Sequence, residues 1–226
     1  MNKDSSPSRF PPLVLFDLDG TLLDSAPDML VTANRMRAGR GLAPLPMTVL
    51  RPHVSKGSRA MIAIALPGST GEVDPILVRE FLDVYQQELG RHGAAFDHVD
   101  ALLAAIEQDG ARWGIVTNKP EYLARQLLPL LGWQERCAVL IGGDTLAERK
   151  PHPLPLQHAA QQLGVDIADC VYVGDDERDI IAARAADMRS IAALWGYRLP
   201  EDDPQQWGAD ALVQQPAELL RSDVWP

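Results

Sequence analysis

Asp17 and Asp19 stand two residues apart, after the apolar run Leu13-Val14-Leu15-Phe16 and before Gly20-Thr21. A short apolar run bounded by a turn signal reads as a strand buried on both faces. Side chains alternate along a strand, so both carboxylates would leave its end on the same side. Crowded carboxylates repel each other unless a cation or a proton is shared between them. That points to a divalent metal site with one carboxylate free to react. Asp-x-Asp-Gly also occurs in calcium loops, but the EF-hand pattern needs glycine at its sixth position, which counted from Asp17 holds Leu22. A plain turn with two solvated aspartates is the competing reading of these residues alone.

Three later segments carry polar groups: Thr117-Asn118-Lys119 and Gly174-Asp175-Asp176, each just after an apolar run and the latter with Asp179 one helical turn on, and Lys150-Pro151-His152-Pro153, further on from the run 138–141. Taken singly, these are a helix cap or turn, a solvated lysine and another cap. Taken together they make a phosphoryl-transfer site. Asp17, Asp175 and a third oxygen can hold magnesium, which prefers hard oxygen ligands. Thr117 and the amides after it can donate to phosphate oxygens. Lys150 supplies positive charge, and Asp19 is placed for general acid and base work.

These groups meet only if the segments end on one edge of a sheet. The pattern after residue 93 alternates helix and strand: helix 100–110, strand 113–117, helix 121–131, strand 138–141, helix 155–163, strand 170–173, helix 179–186 and strand 190–194, with 211–213 as one more strand. Such alternation predicts a parallel sheet with helices on both faces. Residues 26–93 read as helix and loop only, starting at Ser25 as an N-cap with Pro27 in the first turn and an acid, Asp28, three residues after the cap. The expected fold class is α/β, a Rossmann-like parallel core over residues 12–25 and 94–226 with an inserted all-α helical cap over 26–93. Residues 1–11 read as a lead-in without structure.

At 226 residues the chain can bury a proper core. Its 21 basic and 31 acidic residues leave a net charge of −10, which argues against nucleic acid or an anionic membrane as a partner. No apolar stretch has the length of a membrane span, and no secretory leader is evident. Cys137 and Cys170 lie in apolar stretches, as reduced core residues would. A cytoplasmic protein, monomer or homodimer, is expected.

The four segments Asp17-Leu18-Asp19-Gly20-Thr21, Thr117-Asn118, Lys150-Pro151 and Gly174-Asp175-Asp176 with Asp179 resemble the signature of the haloacid dehalogenase superfamily, in the family's order. The resemblance, to phosphatases with a helical cap, covers nearly the whole chain. It implies that Asp17 attacks phosphorus to give an aspartyl-phosphate. Asp19 would protonate the departing alcohol and then deprotonate the attacking water. Magnesium would sit on Asp17, the backbone carbonyl of Asp19, and Asp175, with Asp176 or Asp179 in support. Thr117, Asn118 and Lys150 would hold the phosphoryl oxygens, and Lys150 would restrain Asp17. An aspartate at position 19 implies phosphate rather than carbon–halogen chemistry. Asp187 stands where family members usually carry glycine.

Val116–Pro120, Ile141–Asp144 and Lys150–Pro153 resemble phosphoglycolate phosphatases. Met36–Ala38 to Gly41-Leu42, Trp195–Tyr197, Asp203-Pro204 and Trp207–Asp210 are similar to a sister branch acting on N-acetylmuramic acid 6-phosphate. Both substrates carry a carboxylate, so the cap loop Ser55-Lys56-Gly57-Ser58-Arg59 is the candidate specificity element, Arg59 being suited to a bidentate contact. A solvated charged loop is the competing reading. A sugar-phosphate mutase and a non-catalytic binding protein are the competing functions.

Overall fold

Leu13–Phe16 form strand β1, and all four residues are buried. Leu13 and Leu15 pack into one apolar cluster, Val14 and Phe16 into another, as the two-residue period of a strand with two covered faces demands. The structure, a computed structural model, describes residues 8–68 and 72–226. In chain order there follow β2 (Leu23–Asp24), α1 (Ala26–Ala38), α2 (Met47–Leu50), α3 (Ser58–Ala65), α4 (Pro75–Glu88), β3 (Ala94–Ala95), α5 (Val99–Gln108), β4 (Arg112–Val116), α6 (Glu121–Leu130), β5 (Leu140–Ile141), α7 (Leu154–Leu163), β6 (Cys170–Gly174), α8 (Glu177–Ala185), β7 (Arg189–Ala193) and β8 (Ala211–Val213).

Six strands form one parallel sheet in the order β5-β4-β1-β6-β7-β8. From β1 the chain moves outward through β4 to β5, then returns to β6 on the other side of β1. The strand order therefore reverses beside β1, and a reversal of this kind opens a crevice at the carboxyl ends of the strands. Asp17 follows β1 at that point, Thr117 follows β4 and Asp175 follows β6.

Helices α1 to α4 lie between β2 and β3, which pair antiparallel with Leu23 opposite Ala95 and Asp24 opposite Ala94. The chain thus leaves the sheet and rejoins it along two adjacent segments. Asp28 fastens them further: its buried carboxylate accepts from the backbone N–H groups of Gly90 (2.9 Å), His92 (2.7 Å) and Gly93 (3.2 Å). Asp74 caps α4 by accepting from Ile76 N, as its place before Pro75 suggests.

Three local expectations are corrected. Ser25 does not cap α1: its own backbone is already helical (φ −90°, ψ −3°), its hydroxyl is buried without a partner, and Ala26 N donates instead to the Tyr197 hydroxyl at 3.0 Å. The structureless lead-in over 1–11 falls partly on residues 1–7, outside the described residues. Residues 8–10 are tied down by Asp109, which accepts from the Ser8 hydroxyl and from Arg9 N and Phe10 N, and Phe10 is buried. The strand expected over 138–141 is regular only at Leu140–Ile141, although Ala138 N donates to the Trp113 carbonyl (2.9 Å) and the Val139 carbonyl accepts from Ile115 N (2.8 Å). Cys137 and Cys170 are free thiols, and burial pushes each up to about 11. No helix among the described residues is long and apolar enough to cross a membrane.

Candidate active site

The reversal of strand order brings Asp17, Asp175 and Asp179 together, all buried, with one carboxylate oxygen of each within 4.8 Å of the others. Asp175 is held by three donors: Thr21 Oγ1 (3.0 Å), Tyr197 N (2.9 Å) and Ser55 Oγ (2.8 Å). Gly20 has a positive φ of +93°, and a Cβ there would lie 2.2 Å from Asp175 Oδ2. Only glycine lets the turn after Asp19 approach that carboxylate. Burial pushes the Asp175 carboxyl well above the usual carboxylate range, and the charges of Asp17 and Asp179 push it further. Asp179 is pushed up to about 6 by burial, with Lys150 opposing and Asp17 adding to the rise.

One buried cation faces this cluster. Lys150 Nζ lies 2.9 Å from Asp17 Oδ1 and 2.8 Å from Asp179 Oδ1, and it donates to the Tyr172 hydroxyl at 2.7 Å. Burial works against its charge, but Asp17 and Asp179 outweigh that and raise its pKa. Three carboxylates against one ammonium leave an excess of negative charge. Asp17 Oδ1 is buried, and the cation against it is Lys150 Nζ at 2.9 Å. Hard carboxylate oxygens gathered in a buried, over-acidic cluster fit a magnesium ion. The Ser55 hydroxyl reaches both Asp175 Oδ2 and, at 3.4 Å, the carbonyl of Asp19. A proton donor therefore bridges two oxygens that sequence resemblance assigns to metal. Asp176 lies apart: it caps α8 in a reciprocal box with Asp179 and pairs with Arg178 (2.7 Å) and Lys56 (2.9 Å). Burial opposes its ionisation, but Arg178 and Lys56 hold it below its ordinary value.

Asp19 faces a different cation. Lys119 Nζ donates to Asp19 Oδ1 (3.0 Å) and Oδ2 (3.1 Å) and to the hydroxyl of Tyr85 on α4 (2.6 Å). Thr117 Oγ1 accepts from Lys119 N at 3.2 Å, and Asn118 Nδ2 donates to the Lys150 carbonyl at 2.9 Å, leaving Asn118 Oδ1 buried and unpartnered. The loops after β4, β5 and α6's approach thus interlock around the expected phosphate residues.

The loop of residues 55–59 sits on this edge. Lys56 bridges Asp176 and Asp202, each at 2.9 Å, and Arg178 donates to the Ser55 carbonyl. Gly57 and Ser58 open α3 and line the same cavity as Arg59, whose Nη1 donates to the Val73 carbonyl at 2.9 Å. The cavity has a volume of about 330 Å³ and holds Asp17, Asp19, Thr117, Asn118 and Lys150 at its floor. Met29, Met61, Val78, Phe81, Leu82 and Leu123 form an apolar wall. Arg149 also lines it, is exposed, and has no side-chain partner among the described residues.

All the expected site residues line the cavity except Asp175, which stands in the acidic cluster with Asp17 and Asp179. Lys119, Tyr85, Arg149 and Arg178 had no role in the sequence reading. Lys119 stood inside a segment already quoted, and its only sequence signal was a cation immediately after a strand end and before the proline that starts α6.

A parallel α/β sheet thus gathers two aspartates after β1, a buried lysine and the acidic loop after β6 at its reversal point. Residues 14–193 match the family model of haloacid dehalogenase-like hydrolases. A phosphoglycolate phosphatase of Xanthomonas campestris pv. campestris is 62% identical over 218 residues, covering 96% of this chain and 99% of its own. An N-acetylmuramic acid 6-phosphate phosphatase of Pseudomonas aeruginosa is 46% identical over 209 residues, covering 92% of each. The crystal structure of a predicted phosphoglycolate phosphatase from Haemophilus somnus shares the fold with a TM-score of 0.81 at 24% identity, covering 95% of this chain and 98% of that one. The chain belongs to the haloacid dehalogenase-like hydrolase family, and it is an enzyme of the family's phosphatase kind.

Proposed function

We propose that the chain is a magnesium-dependent phosphatase that hydrolyses a small carboxylated phosphate monoester through a phospho-aspartate on Asp17. The observation that carries the reading is the separation of the two motif carboxylates. Asp17 lies among Asp175, Asp179 and Lys150, whereas Asp19 is turned away from them onto Lys119. One carboxylate is thereby set inside the acidic cluster beside Lys150, and the other is held outside it by Lys119, where its side chain is left for proton transfer.

An Asp17 oxygen attacks phosphorus while the bond from phosphorus to the alcohol oxygen breaks, and Asp19 gives its proton to that oxygen. Asp19 then takes a proton from water as the water oxygen attacks the phospho-aspartate, which releases phosphate and restores Asp17. Lys150 balances the charge on Asp17, and Thr117, Asn118 and the neighbouring amides hold phosphoryl oxygens. Magnesium, when held by Asp17, the Asp19 carbonyl, Asp175 and Asp179, supplies neutralisation of the phosphoryl charge. Residues 26–93 act as a cap that closes over the core of 12–25 and 94–226 and excludes water.

The relative at 62% identity supports phosphoglycolate as the substrate. A second reading, an amino-sugar 6-phosphate such as that of N-acetylmuramic acid, is favoured by the cavity of about 330 Å³ with its long apolar wall, which a two-carbon acid would leave mostly empty. A panel of phosphate esters with magnesium separates them: a kcat/KM about tenfold or more higher for one names the substrate. Asp17→Asn is expected to abolish turnover with every ester. Isomer instead of phosphate from a hexose 1-phosphate would establish the mutase, and a wild type that releases phosphate from no ester would leave only a binding role.

A further inference from the structure

The Lys119 ammonium has three protons, and all three are committed: two to the oxygens of Asp19 and one to the Tyr85 hydroxyl. It is buried, with a side-chain exposure of 3%, and it has no proton left for a phosphoryl or carboxylate oxygen of a ligand. Its backbone is fixed at both ends, by Lys119 N to Thr117 Oγ1 and by Gly143 N to the Lys119 carbonyl at 2.8 Å. Tyr85 is itself buried on α4, beside Phe81. The three groups therefore join the helical insert to the sheet edge, and Asp19 is the end of the chain of contacts.

We infer that Lys119 is a positioning residue for the proton-transferring Asp19, and that Tyr85 makes this positioning depend on the helical insert being docked. The inference rests on the phosphatase reading. A general acid acts only within hydrogen-bond reach of its target and at the right angle. Two bonds to one ammonium hold the carboxylate of Asp19 in a single rotation. Withdrawal of α4 takes the Tyr85 hydroxyl away and leaves the ammonium short of one acceptor in a buried site. The proton donor is thus in register when the insert covers the cavity and loosens when it does not.

Leaving-group dependence distinguishes this role from a structural one. The departing oxygen of an alkyl ester needs a proton, whereas p-nitrophenolate leaves without one. In kcat/KM, only steps up to departure of the alcohol count. Lys119→Met is expected to lower kcat/KM by about 10²-fold for phosphoglycolate or N-acetylmuramic acid 6-phosphate, whichever is cleaved, and by less than about tenfold for p-nitrophenyl phosphate. Asp19→Asn sets the benchmark pattern, and Tyr85→Phe should show the same imbalance at smaller size. Because the two esters are compared in one preparation, a partly misfolded variant does not alter the ratio. Equal losses for both esters would overturn the inference. So would a loss confined to KM for carboxylated esters with glycerol 2-phosphate unaffected, which would make Lys119 a substrate ligand. An unchanged ratio in Tyr85→Phe would remove the insert from the mechanism. A wild type that cleaves neither ester would refute the function itself.

Discussion

Arg59 and Arg149 line the same cavity, yet only Arg149 has an uncommitted guanidinium among the described residues. Arg59 spends Nη1 on the Val73 carbonyl and so ties α3 to the segment before α4. We propose that Arg149, next to Lys150, takes the carboxylate-reading role expected at Arg59. Arg149→Ala should raise KM for a carboxylated ester about 10- to 100-fold, the loss of one charge-assisted contact, with kcat little changed and p-nitrophenyl phosphate unaffected. Arg59→Ala should affect both esters alike. Steady-state kinetics on the two esters decide it, and a carboxylate-selective loss in Arg59→Ala alone would restore the original assignment. The difference in legibility has a physical source. Asp17, Asp19 and Asp175 stand at strand ends, and Lys150 precedes a proline in the loop after β5, so their convergence can be read from sequence. Lys119 and Arg149 are ordinary cations in sequence, and only the three-dimensional pairing shows that one is used up and the other is not. Asp187 departs from the family's glycine, but its φ of +55° is in the left-handed region that aspartate tolerates better than most residues.

At the scale of elements, the alternation of apolar runs and helical stripes was legible because each of β1, β4, β6 and β7 is four or five residues long and mostly buried. β2 and β3 are two residues each, shorter than any period that could reveal them. The junction they form was visible only as the ends of a helical stretch. Asp28 was read as the acid of a cap; in the folded chain it reaches across instead to Gly90, His92 and Gly93 in the loop that leads into β3. A Cβ at Gly93 would lie 2.7 Å from the Asp24 carbonyl, so the two segments run in contact. Asp28→Ala would leave three backbone N–H groups without this acceptor, at a cost of about 2–3 kcal/mol. The melting temperature should fall by about 5–10 °C, from about 2–4 °C per kcal/mol at this chain length. Asp28→Asn keeps one accepting oxygen and should lose less. Thermal unfolding of the two variants measures this, and a wild-type melting temperature in Asp28→Ala would show that the junction does not depend on the carboxylate.

For the whole molecule, sequence could place strand ends on one edge of a parallel sheet but could not order the strands. The order β5-β4-β1-β6-β7-β8 matters because it sets Asp17 and Asp175 on neighbouring strands at the reversal point. The chain carries a net charge of −10, and this fold gathers three of its carboxylates into a buried cluster with a single lysine in contact. Such a cluster weakens the folded state unless a cation joins it, because buried like charges at this range are poorly screened. Binding of magnesium to the folded chain alone should stabilise it by about 2.7 kcal/mol at a hundred times the dissociation constant. That corresponds to a rise in melting temperature of about 5–10 °C over protein stripped with chelator. Asp175→Asn removes one of the three carboxylates while leaving Lys150 paired, and its melting temperature should no longer respond to magnesium. A wild type whose unfolding is indifferent to saturating magnesium would show that the cluster is not the metal site. A full response in Asp175→Asn would place the ion elsewhere.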